Sequence, residues 1–358
     1  MSRFLSSAFS KISPYTPGEQ PQNREYIKLN TNESPFPPSP EVVAHINSEE
    51  ASRLNLYSDP SASMLIDAVA ENFGVSADMV AVGNGSDEIL AFSFMAFCEK
   101  GVAFADVTYG FYRVYADLYG LKTKIIPLTE KYEINPDDYK NIGCTIFIAN
   151  PNAPTGHCLP VSEIEEILVS NPGNLVVIDE AYVDFGGESS VPLVNKYNNL
   201  LVIGTFSKSR NLAGARIGYA ISNPEIICDL NKMKFSFNPY NLNRLSIIAG
   251  TYGIKDKEYF EKCTSLIKEA REYTVSELKK LNFEVLDSKT NFVFAQSGDI
   301  DGEEYYLSLK DRGILVRWFN KDRIRNFVRI TIGTKEQMSL LIDATRDIIK
   351  AKHGEDIK

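Results

Sequence analysis

Four short apolar runs, each broken off by a polar cluster of a different chemical kind, constrain this chain more than any other feature. MVAVG (79–83) runs into NGSDE, TIFIA (145–149) into NPNAPTG, LVVI (175–178) into DEAY, and LLVIG (200–204) into TFSKS. Continuous apolar strands of this length are expected where both faces of a sheet are covered. Between them lie stretches of helical periodicity. SASMLIDAVAENFG (61–74) is placed to end at Gly74, and a second helix opens at Ser86. A third follows the strand VAFA, from about Tyr109 to Gly120, and VSEIEEILVS (161–170) carries Ser162 and Glu165 at capping-box spacing. Strands alternating with helices predict an α/β fold with a mainly parallel sheet flanked by helices.

After residue 255 the texture changes. A long helical stretch from Lys257 to Leu281 leads into FEVLDS, NFVFA, a helix near Glu303 to Arg312, ILVR, FVRIT and a closing helix from about Lys335. This reads as a smaller α+β domain. Residues 13–40 are rich in Pro, Asn and Ser and read as an irregular arm holding one short strand, YIKLN. The expected division is an arm and small-domain segment over 1–40, a large domain over 41–255 and a small C-terminal domain over 256–358.

With 358 residues, 44% of them hydrophobic, such cores can be filled. The net charge of −9 argues against a general nucleic-acid or anionic-membrane binder, while leaving room for a local basic pocket. The cysteines (Cys98, Cys144, Cys158, Cys228, Cys263) form no CxxC pair and the three histidines (His45, His157, His353) are scattered, so no metal site is expected. An odd set of thiols suits a reducing, cytoplasmic setting. No apolar run approaches the roughly 18 residues of a membrane span. The opening MSRFLSSAFSKI lacks a continuous apolar core and reads as part of the arm.

Ligands of open parallel sheets bind at the carboxyl ends of the strands, where all four polar clusters fall. Each cluster alone has a plain reading. GNGSDE is a glycine turn opening a helix, with free N–H groups for an anion but without the third glycine of a dinucleotide fingerprint. NPNAPTG alone is a tight loop. VIDEAY resembles the strand-end acid of P-loop ATPases, yet the chain has no GxxxxGK[ST] loop. Asp179, ending a buried strand, therefore needs another cation. Lys208 alone is a loop lysine, and Arg216 an arginine suited to phosphate. Together they specify one cofactor. A phosphate would sit at the helix N-terminus with Ser207 and Arg216, an aldehyde on Lys208 and a protonated pyridine nitrogen on Asp179. These are the parts of pyridoxal 5′-phosphate. Tyr182 is placed to bond the 3′-oxygen of the ring, and the Lys208 amine to move the Cα proton.

At these residues the chain resembles the fold-type-I pyridoxal-phosphate-dependent aminotransferases, and more closely the histidinol-phosphate aminotransferase family. The stretches that carry the likeness are KLNTNESPFPPSP, GNGSDE, NPNAPTG, VIDEAYVDF, TFSKSRNLAGARIGYA, TNFVFA and VRITIGT, which together span nearly the whole chain. The resemblance implies an aspartate-aminotransferase-like large domain that binds the cofactor, with a small domain made from both chain ends. It implies that Lys208 bonds the cofactor covalently, that Asp179 meets the ring nitrogen and Tyr182 the 3′-oxygen, and that Tyr109 stacks on the ring. Gly85, Ser86 and Asp87 would hold the phosphate with Thr205, Ser207 and Arg216. Tyr57 would reach the phosphate of the neighbouring subunit, which implies a homodimer with shared sites. Arg329 would bind the carboxylate of the amino donor and Arg317 the substrate phosphate, with Tyr15 and Asn32 closing over the substrate.

Three departures stand out. The family's Asn before Pro-Thr-Gly is Ala153 here, with Asn152 one step earlier. Leu56 and Ser58 flank Tyr57 in place of Arg and Pro, and SKSRNLAGAR differs from the commoner SK-x-[FY] form. The first leaves open whether Asn152 replaces the missing amide or Tyr182 acts alone. Trp318 and Phe319, beside Arg317, are expected as packing residues rather than an imidazole cage.

The expected reaction is a ping-pong transamination of histidinol phosphate and 2-oxoglutarate to imidazole acetol phosphate and glutamate. The alternatives are transfer to another small phosphorylated ketone and decarboxylation of an O-phosphorylated amino acid.

Overall fold

The computed structural model describes residues 3–9, 12–22 and 24–354. Parts of the expected N-terminal arm, residues 1–2, 10–11 and 23, lie outside them. Thirteen strands occur among the described residues. The first, β1 (Ile27–Lys28), belongs to the arm. The next seven form one sheet: β2 (Val80–Asn84), β3 (Val102–Ala105), β4 (Thr123–Ile126), β5 (Thr145–Ala149), β6 (Val176–Asp179), β7 (Leu200–Thr205) and β8 (Ile217–Ser222). Their spatial order is β2-β8-β7-β6-β5-β3-β4. The pairings are parallel except those of β8, which runs antiparallel to both β2 and β7. The sheet is thus mixed and mainly parallel.

The period of two along these strands builds two cores at once. Ile146, Ile148, Val176, Ile178, Leu200 and Val202 pack on one face. Phe147, Ala149, Val177, Leu201 and Ile203 pack on the other. This is why the runs are apolar without alternation: either neighbour of a buried residue is buried too.

The remaining strands lie apart: β9 (Phe283–Val285), β10 (Phe292–Ser297), β11 (Ile314–Leu315), β12 (Arg317–Trp318) and β13 (Phe327–Thr331). Four of them form an antiparallel sheet in the order β12-β13-β10-β9. The fifth, β11, pairs in parallel with β1, Ile27 opposite Ile314, which ties the arm to the C-terminal part. Leu29 joins the core beneath this sheet with Ile267, Leu278 and Leu341 of the flanking helices.

The long helix spans Lys257–Lys280 and the closing helix Lys335–His353, close to the expected bounds. Gly74 ends the helix Ser63–Phe73 in the left-handed conformation, φ 67°, as its position predicted. One expectation fails. The helix Val161–Ser170 is capped by Pro160 without a side-chain bond, so Ser162 and Glu165 form no capping box. Glu165 instead turns outward to Lys196 and Tyr197. The capping box belongs to Thr334 and Gln337. The helices Pro224–Phe237 and Arg244–Lys255 are additions, each opened by an asparagine whose side chain accepts first-turn N–H bonds. No helix among the described residues is long and apolar enough to cross a membrane.

Candidate active site

A cavity of about 370 Å³ opens where the strand-end rule placed it. Its floor includes Ala149, Asp179 and Thr205, the last residues of β5, β6 and β7. Asp179 is 4% exposed. The Tyr112 hydroxyl donates to its Oδ2 at 2.9 Å and the Ala181 N–H to its Oδ1 at 3.2 Å. Both donors are neutral. Burial pushes the Asp179 carboxyl up to about 6 despite these bonds. A buried carboxylate with only neutral donors gains from a cation facing it, and a protonated ring nitrogen is one. Lys208 follows β7 and reaches the same cavity, its Nζ 5.8 Å from the centre of the Tyr182 ring. The Tyr182 hydroxyl accepts from Asn32 Nδ2 at 2.9 Å.

The anion end lies at the start of the helix Gly85–Phe97. Its cap residue, Asn84, makes no side-chain cap bond, which leaves first-turn N–H groups without that acceptor. Ser86 and Asp87 line the cavity there. Arg216, in the left-handed region at φ 53°, aims its guanidinium into the same corner. Its Nη2 is 3.0 Å from Asp87 Oδ2 and its Nη1 3.5 Å from Ser207 Oγ. Thr205 Oγ1 donates to Ser207 Oγ at 3.0 Å. Gly85 must be glycine: its φ is 75°, and a Cβ there would stand 2.4 Å from Arg216 Nη2. Helix N–H groups, two hydroxyls and a guanidinium form a donor set that fits a phosphate.

The opposite wall comes from distant parts of the chain. Tyr109 donates to Asp87 Oδ1 at 2.7 Å and meets Tyr112 edge-on at 5.8 Å. Tyr15, from the arm, stacks on Phe111 at 4.3 Å. Arg317 on β12 stands directly opposite Arg329 on β13. Like charges facing each other across strands are unfavourable unless anions or acceptors lie near them. Arg317 donates to the carbonyls of Pro17 (3.1 Å) and Thr16 (2.8 Å). Arg329 donates through Nη2 to Asn30 O at 2.9 Å, while its buried Nε has no partner. Burial pushes the Arg329 pKa down.

Thirteen of the expected residues line this one cavity: Tyr15, Asn32, Ser86, Asp87, Tyr109, Asp179, Tyr182, Thr205, Ser207, Lys208, Arg216, Arg317 and Arg329. Three do not. Gly85 sits behind Arg216. Asn152 is buried and spent elsewhere, its Nδ2 donating to Val107 O and Thr155 Oγ1 and its Oδ1 accepting from Thr108. Ala153 lines the cavity in its place. Tyr57 is 79% exposed and stacks on Tyr240, outside the cavity of its own chain. Phe319 lines the cavity, whereas Trp318 turns away, stacks on Tyr306 and donates to Arg325 O. Sequence reasoning missed Tyr112 and Glu33. Nothing in the local sequence singles out Tyr112, because its partner Asp179 is 67 residues away.

The family description Aminotransferase class I and II matches residues 24–344. The chain belongs to this family. Among relatives, the histidinol-phosphate aminotransferase of Brachyspira hyodysenteriae is 50% identical over 353 residues, 98% of this chain and all of the relative. That of Marinomonas sp. is 48% identical over 353 residues, 97% of this chain and all of the relative. Among solved structures, the histidinol-phosphate aminotransferase of Sinorhizobium meliloti in complex with pyridoxal 5′-phosphate superposes with a TM-score of 0.88 at 24% identity. The match covers 98% of this chain and 99% of that one. Membership in the aminotransferase family removes the nucleotide-ATPase reading of VIDEAY.

Proposed function

We infer that this aminotransferase uses pyridoxal 5′-phosphate to move an amino group between histidinol phosphate and 2-oxoglutarate, giving imidazole acetol phosphate and glutamate. The observation that carries the reading is the buried Asp179 carboxylate sharing one cavity with the Lys208 amine, beneath two facing arginines. Lys208 would hold the cofactor covalently. Asp179 would face the ring nitrogen, Tyr182 the 3′-oxygen and Tyr109 the ring face. The backbone amides of Ser86 and Asp87, with Thr205, Ser207 and Arg216, would hold the phosphate. When bound, the cofactor supplies a sink for the electron pair left at the substrate Cα.

The chain's own residues do the rest. The Lys208 amine would take up the proton released from the substrate Cα and hold it on that face. Asp179, fixed by Tyr112 and the Ala181 N–H, would be held in place to face the ring nitrogen. Arg329, which lines the cavity, would bind the carboxylate of glutamate through its guanidinium. Arg317 accepts the substrate phosphate after exchanging it for the carbonyls of Thr16 and Pro17. That exchange links substrate entry to the arm carrying Tyr15, which then excludes water from the cavity.

Our reading places the cofactor in a large domain over 41–255, with 1–40 and 256–358 as the moving partner. It also includes a homodimer. Leu54, Leu56, Tyr57, Phe235 and Phe237 are exposed large apolar side chains in neighbouring segments, Tyr57 resting on Tyr240. A second copy covering them would bring Tyr57 to the neighbouring cofactor phosphate. The five cysteines are free thiols, which suits the cytoplasm.

Relatives at 48–50% identity named for the transfer reaction favour it over decarboxylation. The test is a half-reaction screen on the cofactor-loaded enzyme. Glutamate and histidinol phosphate should each bleach the visible band without releasing CO₂. Release of CO₂ from an O-phosphorylated amino acid, with no response to glutamate, would replace this reading with a decarboxylase.

A further inference from the structure

The charges on the cavity wall leave one group without a task. Three lining residues carry carboxylates: Asp179, Asp87 and Glu33. Asp179 answers the cofactor ring. Asp87 is engaged by Tyr109 and Arg216. Glu33 takes part in none of the roles assigned above. It stands one residue past Asn32, on the side of the arm segment that meets the cavity. Lys28 Nζ lies 2.9 Å from its Oε1 and 2.8 Å from its Oε2, and Thr31 Oγ1 donates to Oε2 at 3.0 Å. A carboxylate accepts about four hydrogen bonds, so the Glu33 oxygens retain a free acceptor site. Burial pushes the Glu33 carboxyl up, but the bonded Lys28 and Thr31 and the nearby Lys208 hold it below the ordinary carboxylate value. It is therefore an anion when the enzyme works.

The two substrates differ in the chemistry that can meet such an anion. Glutamate brings two carboxylates and, apart from its reacting amine, no donor. Histidinol phosphate brings a phosphate and an imidazole ring, whose N–H donates and which carries a positive charge when protonated. Arginines 317 and 329 serve the anionic groups of both substrates. Only the imidazole has use for a carboxylate. We propose that Glu33 is a specificity-determining residue that accepts a hydrogen bond from the imidazole ring of the phosphorylated substrate and disfavours a second carboxylate at that end of the cavity. Discrimination then works in both directions: attraction for the ring and repulsion of the wrong group. The proposal rests on the substrate reading given above.

A ping-pong enzyme allows the two substrates to be weighed separately. The cofactor-loaded protein is mixed with histidinol phosphate alone, or with glutamate alone, and the half-saturating concentration of each half-reaction is read from the visible band. Glu33→Gln keeps the size and removes the charge. It should raise the value for histidinol phosphate about tenfold, the loss of one charge-assisted hydrogen bond, and leave that for glutamate within about twofold or lower. Lys28→Met removes the ammonium and keeps the carboxylate, so it should retain the wild-type preference. Equal shifts for both substrates in Glu33→Gln, no shift for either, or the same selective loss in Lys28→Met would overturn the proposal. The last result would assign the effect to the ion pair as a prop for the arm. A wild-type enzyme that reacts with glutamate but not with histidinol phosphate would overturn the substrate reading, and this inference with it. Reaction of the wild type with both substrates and an unselective Glu33→Gln would overturn this inference alone.

Discussion

The floor and the roof of the cavity are built by different means. The floor is made of strand ends in one seven-stranded sheet. Asp179, Thr205 and Lys208 are fixed there by neighbours whose own side chains fill two cores. The roof is drawn from both ends of the chain. Asn32, Arg317 and Arg329 make bonds that cross about 300 residues of sequence, such as Asn32 N–H to Thr331 Oγ1 at 2.9 Å, and Tyr15 stacks on Phe111. On the function proposed, the floor would hold chemistry that must not move, and the roof groups that exchange partners when a substrate enters. Floor changes should therefore act on the cofactor and on kcat, and roof changes on KM and on the arm.

The sharpest division is expected from Lys208→Ala. Turnover should fall by at least about a thousandfold, and the visible band of the loaded enzyme should vanish, while the thermal unfolding of the cofactor-free protein stays close to wild type. Retained turnover would break the account of the floor. The two roof arginines should follow, and unequally. Arg329→Gln removes a buried guanidinium with an unpartnered Nε and should lower kcat/KM for glutamate by about 100-fold. Arg317→Ala should cost about tenfold with the phosphorylated substrate, because its hydrogen bonds are already in use. It should also expose residues 12–22 to limited proteolysis. Equal losses in the two variants would erase the distinction drawn between them.

How much of this was legible in the sequence divides along the same line. The floor was legible because each of its residues ends an apolar run, and a buried strand leaves its carboxyl end as the place for polar chemistry. The roof was not readable from periodicity. Arg317 and Arg329 look like ordinary strand arginines until β12 and β13 set them opposite each other, and only the family resemblance singled them out. Ser162 and Glu165 show how spacing misleads. The helix begins at Val161 after Pro160, which places Ser162 inside the first turn rather than at its cap. Asn152 was open in the sequence because its neighbour Ala153 replaces an amide. Its burial against Val107 and Thr155 became visible only in three dimensions. Tyr112 was hidden because its role depends on Asp179, 67 residues away.

Smaller effects sharpen the description of the floor. Burial pushes the Asp179 carboxyl up to about 6 from its ordinary 3.8. The folded chain then holds a proton that the unfolded chain has released, so stability falls as pH rises through that window. Glu180, pushed up to about 7 by burial, acts in the same sense. Asp179→Asn should flatten the loss between about pH 4 and 6.5 by roughly 1–3 kcal/mol in chemical denaturation of the cofactor-free protein. An unchanged slope would mean that Asp179 already has a cationic partner within the chain. Asn152→Ala leaves the Val107 carbonyl without its donor and should cost about 1–3 kcal/mol in the same assay.

Everything proposed for the floor depends on Lys208 being the amine that carries the cofactor. Borohydride reduction of the loaded enzyme, followed by digestion and peptide mass mapping, tests it most directly. A pyridoxyl-phosphate mass is expected on the peptide containing Lys208 and on no other. The same mass on a different lysine, or an unmodified Lys208 peptide from fully loaded enzyme, would contradict it.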